Sequence, residues 1–134
     1  MRSVGRYAPP LALMGLIFIL SAQSGLPSVD SRFDVALRKA AHMTEFGLLW
    51  ALLLRALPGT PARRALLALA IALAYTVSDE FHQSFVANRH PSPFDVAIDA
   101  AGIGFASALW VARTRRTQTD LRPGRPDARP GVNS

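Results

Sequence analysis

No cysteine occurs anywhere in the 134 residues, which excludes a disulfide framework and thiolate metal sites but does not fix the compartment. The chain also has no glycine-rich nucleotide loop, no nucleophile elbow and no internal repeat, so phosphate-cradling and serine-nucleophile chemistry have no footing in it. From Arg113 to the end there is no aromatic residue and almost no apolar one, which argues against nucleic-acid binding and for a disordered basic tail. The most telling absence is a polar helical face. Residues 46–54 and 66–74 are apolar on every side, whereas a helix of a water-exposed bundle needs a polar stripe at a period of 3.6.

Half of the residues are hydrophobic, yet the formal net charge is +6. The two facts reconcile if the apolar residues sit in a bilayer and the basic ones flank it, in a single domain of this length. Residues 7–29 carry no charge, and 11–20 are apolar except for Gly15. Residues 7–23 would span about 25 Å as a helix, enough for a short crossing of a hydrocarbon core of about 30 Å. A cleaved signal peptide competes with that reading, given Arg2 and Arg6 before the apolar core and small residues at Ala22 and Ser24; the apolar segments that follow favour retention. Those segments are 40–57, 65–78 and 96–112. The second of them is short, about 21 Å of helical rise.

Arg2 and Arg6, then Arg55, Arg63 and Arg64, then Arg113, Arg115 and Arg116 fall on one side if four helices alternate across a membrane. The positive-inside rule makes that side the cytoplasm and puts both termini there. The expected fold is therefore all-α: a polytopic four-helix membrane domain over residues 1–112 in the inner membrane, followed by a disordered cytoplasmic tail over 113–134. A soluble four-helix bundle is the alternative.

Three of the segments carry ionisable residues near the same, outward end. Helical rise puts Glu45 and His42 about 15 and 20 Å above Arg55, Asp79 about 23 Å above Arg64, and Asp99 and Asp95 about 21 and 27 Å above Arg113. Spacings of four and seven align Arg38, His42 and Glu45 on one face, Tyr75, Asp79 and His82 on another, and Asp95, Asp99 and Gly102 on a third. Glu80 and Gln83 lie on an adjacent stripe, and Gly102 and Ala106 permit close helix contact below the acids. Ionisable groups set against lipid are costly and persist where they pair or line a site.

Such a layer allows acid–base chemistry, with Glu80 or His82 as base and Asp95 and Asp99 as proton or metal partners. It also allows a divalent cation on Asp79, Glu80, Asp95 and Asp99 with His42 or His82, or recognition of an anionic head group by Lys39 and Arg89. Plainer readings stand beside these. Arg38 and Lys39 fit snorkelling interface anchors, His90 a loop residue, and Asp95 a helix cap with Ser92 as its rival. The whole cluster also fits a structural ion-pair network.

The run Lys39-x-x-His42-x-x-Glu45-Phe46, then Asp79-Glu80-Phe81-His82-Gln83-Ser84-Phe85, Arg89, and Asp95-x-x-x-Asp99-x-x-Gly102 resembles the VanZ-like family of small membrane proteins. Ser21-Ala22-Gln23-Ser24 is similar to the family's polar exit from its first helix. Where members often place Pro-Gly before the arginine, this chain has Ala87-Asn88. The resemblance implies a mainly four-helix membrane protein and a link, through the founding member, to teicoplanin sensitivity; it supplies no reaction. The expected partners are membrane lipids and a lipid-linked or amphiphilic envelope substrate. His42, Glu45, Asp79, Glu80, His82, Gln83, Arg89, Asp95 and Asp99 are the expected site.

Overall fold

The computed structural model describes residues 4–23, 32–87 and 92–120. They form four helices, α1 (Val4–Ser21), α2 (Arg32–Ala56), α3 (Pro61–Gln83) and α4 (Pro93–Asp120), with no strand among them. The helices outrun the apolar segments that announce them. α2 begins at Arg32 rather than near residue 40, because residues 32–39 contain no proline or glycine to stop a helix. α4 runs eight residues past the expected boundary at 112, since Arg113–Asp120 is polar but holds no helix breaker. The first breakers, Pro123 and Gly124, lie outside the described residues.

The α2–α3 connection shows why the chain turns where it does. Gly59 has φ 118°, a left-handed conformation that side-chain-bearing residues avoid. Thr60 caps α3 by accepting from the Arg63 N–H at 3.3 Å, and Pro61 starts the helix where its missing N–H is harmless. Arg64 reaches back to close the end of α2, its Nε and Nη2 donating to the Leu54 carbonyl at 2.8 and 2.6 Å. That carbonyl belongs to the last turn, where no helical donor remains and positive charge is favoured. Arg6 of α1 lies at the same end, its Nη2 3.4 Å from the Leu57 carbonyl.

α2 is the hub of the bundle. Phe46, Leu49, Trp50 and Leu53 recur at helical spacing on one buried face and meet Ile17 of α1, Ala68 and Ala72 of α3 and Ile103 of α4. Its most extensive partner is α4. The two run in the same direction, Lys39 opposite Asp95 and Trp50 against Trp110, whose rings cross edge-on at 6.2 Å. Between these points the backbones touch. A Cβ on Gly102 would overlap the Met43 carbonyl oxygen, and one on Gly47 would sit 2.9 Å from the Gly102 carbonyl oxygen. The small-residue face expected at Gly102 is thus where α2 and α4 meet backbone to backbone.

Polarity is distributed inside out. Leu66, Phe81 and Phe105 are about two-thirds exposed, while Asp79 and Asp99 are 3% and 2% exposed. A bundle folding in water would lose by both choices, and one packed in lipid gains by both. α3 and residues Pro93–Thr117 of α4 are long and apolar enough to cross a membrane; α1 is apolar but shorter.

Candidate functional site

The polar residues collect at the end opposite Arg6 and Arg64, in three linked groups. The first joins α1 to α3. Ser21 Oγ donates to Asp79 Oδ1 at 2.5 Å and Gln83 Nε2 donates to Asp79 Oδ2 at 3.0 Å, so both oxygens of this buried carboxylate have a donor. One turn away on either side, His82 stacks on Phe18 with ring centroids 4.1 Å apart, and Tyr75 Oη donates to the Met14 carbonyl at 2.6 Å. The stripe Tyr75, Asp79, His82 therefore packs as a unit on α1, as helical spacing allows.

The second group joins α2 to α4 in matching register. Lys39 Nζ meets Asp95 Oδ1 at 2.9 Å and lies 5.0 Å from the Phe94 ring centroid. One turn deeper, His42 Nδ1 is 3.7 Å from Asp99 Oδ2, beyond a direct hydrogen bond. Lys39 rather than Arg38 is the basic residue that meets α4 here; Arg38 is exposed. Ser92 is the cap of α4, its Oγ accepting from the Phe94 N–H at 3.1 Å, which leaves Asp95 free for Lys39.

The third group is Glu80 with its surroundings. It is 8% exposed, takes the Ser92 backbone N–H, and stands within electrostatic range of Asp79, Asp95 and Asp99. Glu45 in turn faces His42, Asp79 and Asp99. His42, Glu45, Asp79, Glu80, Asp95 and Asp99 thus form one electrostatically connected layer, with Gln83 bonded to Asp79 and His82 beside it on α3. Arg89 lies outside the described residues, as does His90.

Within this layer Glu80 Oε2, His82 Nδ1 and Asp99 Oδ2 are buried and find no hydrogen-bond partner among the described residues. A buried polar atom left this way costs about 1–3 kcal/mol, and in folded proteins such atoms mark places where structure yields to function. Trp50 Nε1 shares the property but sits in the apolar core beside Trp110.

The cation expected on Asp79, Glu80, Asp95 and Asp99 finds no ligand set, because among the described residues no three His, Asp or Glu groups close on a common point. Both Asp79 oxygens are taken by Ser21 and Gln83, and Asp95 is held by Lys39. Ser21 is the site residue that sequence reasoning left out of the set. Its place in the Ser21-Ala22-Gln23-Ser24 run was the available signal.

Buried Asp79 and Asp99, many large apolar side chains left exposed and two helices long and apolar enough to cross a bilayer are the packing of a helical membrane protein. The chain matches the VanZ/LLP1 family over residues 7–114 and belongs to that family. The matched stretch encloses every candidate site residue, Arg89 included. No curated protein and no solved structure is significantly similar to it.

Proposed function

We propose that this chain is a four-helix, multi-pass protein of the inner membrane, both termini cytoplasmic, whose outward polar layer binds an envelope lipid or amphiphile and acts on it through acid–base chemistry. One observation carries the reading: among the described residues Glu80 Oε2, His82 Nδ1 and Asp99 Oδ2 are buried without a hydrogen-bond partner, beside Asp79, whose two oxygens both have one. A ligand hydroxyl, amide or phosphate acid supplies the donors that these two carboxylates lack. Glu80 or His82 serves as the base, Asp95 and Asp99 as proton partners, and Arg89 as the clamp for an anionic head group. Teicoplanin susceptibility is the cellular readout that the family suggests.

A structural reading has its own support in the Ser21–Asp79–Gln83 set and the Lys39–Asp95 pair, which are complete without a ligand. The two part at Glu80. Lipids that copurify with the wild-type protein and with Glu80→Gln, compared by mass spectrometry at matched abundance and matched thermal stability, decide between them. The expected outcome is a lipid species retained by the wild type and depleted about tenfold in Glu80→Gln, as loss of one charged hydrogen bond entails. An unchanged lipid profile returns the layer to structure alone.

A further inference from the structure

A second polar feature lies at the opposite end of the bundle, away from every residue discussed above as site. Gly5, Arg6, Pro9 and Pro10 of α1 and Leu52 and Arg55 of α2 line a cavity of about 350 Å³. That volume falls in the range of small-ligand sites. Its character is set by charge. No Asp or Glu occurs in residues 1–29 or 46–78, so neither α1 nor the α2–α3 hairpin brings an acid to this end.

The arginines here are not equivalent. Arg64 is committed to the Leu54 carbonyl through two short bonds. Arg6 has one long contact, 3.4 Å to the Leu57 carbonyl, which leaves most of its donors uncommitted. Arg55 makes no hydrogen bond or ion pair among the described residues. Arg6 and Arg55 line one cavity from two helices, both exposed, and their like charges favour an anion that both can reach. The prolines sharpen the polarity of the wall. Pro9 and Pro10 carry no N–H, so the donors available to the cavity are the two guanidinium groups and the first-turn amides of α1, where the helix end is itself positive.

We propose that this cavity is a phosphate-binding site, with Arg6 and Arg55 as its paired ligands, and that a phospholipid of the adjoining leaflet supplies the phosphate. Planar guanidinium forks match phosphate oxygens in a way that ammonium groups do not. Basic pockets between transmembrane helices are where anionic head groups lodge. The lipid is favoured over a soluble anion because α1 leads from the cavity along exposed Leu11, Leu16 and Ile19, an apolar flank suited to acyl chains. The site is independent of the acid layer and stands or falls without it.

The test uses the full chain in detergent, delipidated and then titrated with phosphatidylglycerol or with phosphatidylethanolamine, bound lipid being counted by native mass spectrometry. Phosphatidylglycerol should be retained preferentially, and Arg6→Gln with Arg55→Gln should lower its retention about tenfold, the loss of two arginine–phosphate contacts. Leu52→Phe keeps both charges but fills the cavity, and should lower retention as well. Arg63→Gln, at the same end but off the cavity, should not. Inorganic phosphate serves as the competing probe: failure to displace the lipid at millimolar concentration supports the head group as source, and displacement with equal apparent affinity overturns it. Undiminished retention in the double variant at unchanged melting temperature, or an equal loss in Arg63→Gln, overturns the site.

Discussion

The two ends of this bundle hold charge in opposite ways. At one end buried or half-buried carboxylates are met by side chains: Ser21 and Gln83 on Asp79, Lys39 on Asp95, His42 near Asp99. At the other, arginines meet main-chain carbonyls, Arg64 on Leu54 and Arg6 on Leu57. A carbonyl at a helix end exists in any helix, so an arginine that caps it does a general task of ending and orienting the helix. A buried carboxylate must be given its donors one by one, and those donors come from residues far apart in sequence. The acid end is therefore the specific one, and it is more exposed to damage by mutation.

The helix crossing between the two ends offers the strongest way to break the comparison. Gly102→Leu would drive a side chain into the Met43 carbonyl, which as backbone cannot give way without parting α2 from α4. We expect a loss of about 3 kcal/mol, read as a collapse of thermal stability in detergent. The acid end should come apart first, because Lys39–Asp95 and His42–Asp99 span the same two helices, while the Arg64 cap between α2 and α3 survives. Gly47→Ala should cost less, its Cβ meeting the Gly102 oxygen at 2.9 Å, and Gly104→Ala, with nothing within 4 Å, should be neutral or slightly stabilising. Equal effects at all three would remove the crossing from the account.

The crossing was legible in the sequence because a small residue at Gly102, one turn below Asp99 and two below Asp95, has few other uses in an apolar helix. The layer itself was legible for the same reason: charged residues in apolar segments stand out, and helical rise brings them to one depth. The pairing was not. Arg38 and Lys39 are adjacent and equally basic, and only the rotation of α2 against α4 puts Lys39 on Asp95. Ser21 gave no periodic signal, since its role rests on the angle between α1 and α3. Helix ends are not legible where polar residues without proline or glycine continue a helix, as in residues 32–39 and 113–120. The cation set failed on a matter that composition does not record, namely which carboxylate oxygens are already spoken for.

A milder comparison sets one tertiary hydrogen bond at each end side by side. Ser21→Ala removes the donor from a buried Asp79 oxygen and should cost about 1–2 kcal/mol, because the oxygen loses its partner without gaining water. Ser21→Thr keeps the hydroxyl and should recover most of it. Arg64→Gln uncaps the Leu54 carbonyl at a half-exposed position where water replaces the guanidinium, so about 0.5 kcal/mol is expected. Thermal unfolding of the three variants in one detergent ranks them, and a larger loss in Arg64→Gln than in Ser21→Ala would invert the order of the two ends.

The smallest effect belongs to Lys39 and Asp95, and it tests whether a basic residue at this depth is an anchor or a partner. Their side chains are 38% and 32% exposed, so solvent screening limits the pair to roughly 0.5 kcal/mol. Lys39→Gln and Asp95→Asn should each lose about that much, less at high salt. A snorkelling lysine predicts the same loss in Lys39→Gln, which makes that single uninformative. The double exchange Lys39→Asp with Asp95→Lys separates the two. If the ion pair stabilises this end, reversing both charges restores stability close to wild type while each reversal alone costs more than neutralisation, since like charges then face each other. An anchor acts through lipid head groups and has no interest in residue 95, so the exchange would simply add two losses. Phe94→Leu refines the outcome: its ring lies 5.0 Å from Lys39 Nζ, and removing it should weaken Lys39 in the wild type but leave the exchanged chain, with an aspartate at residue 39, unaffected.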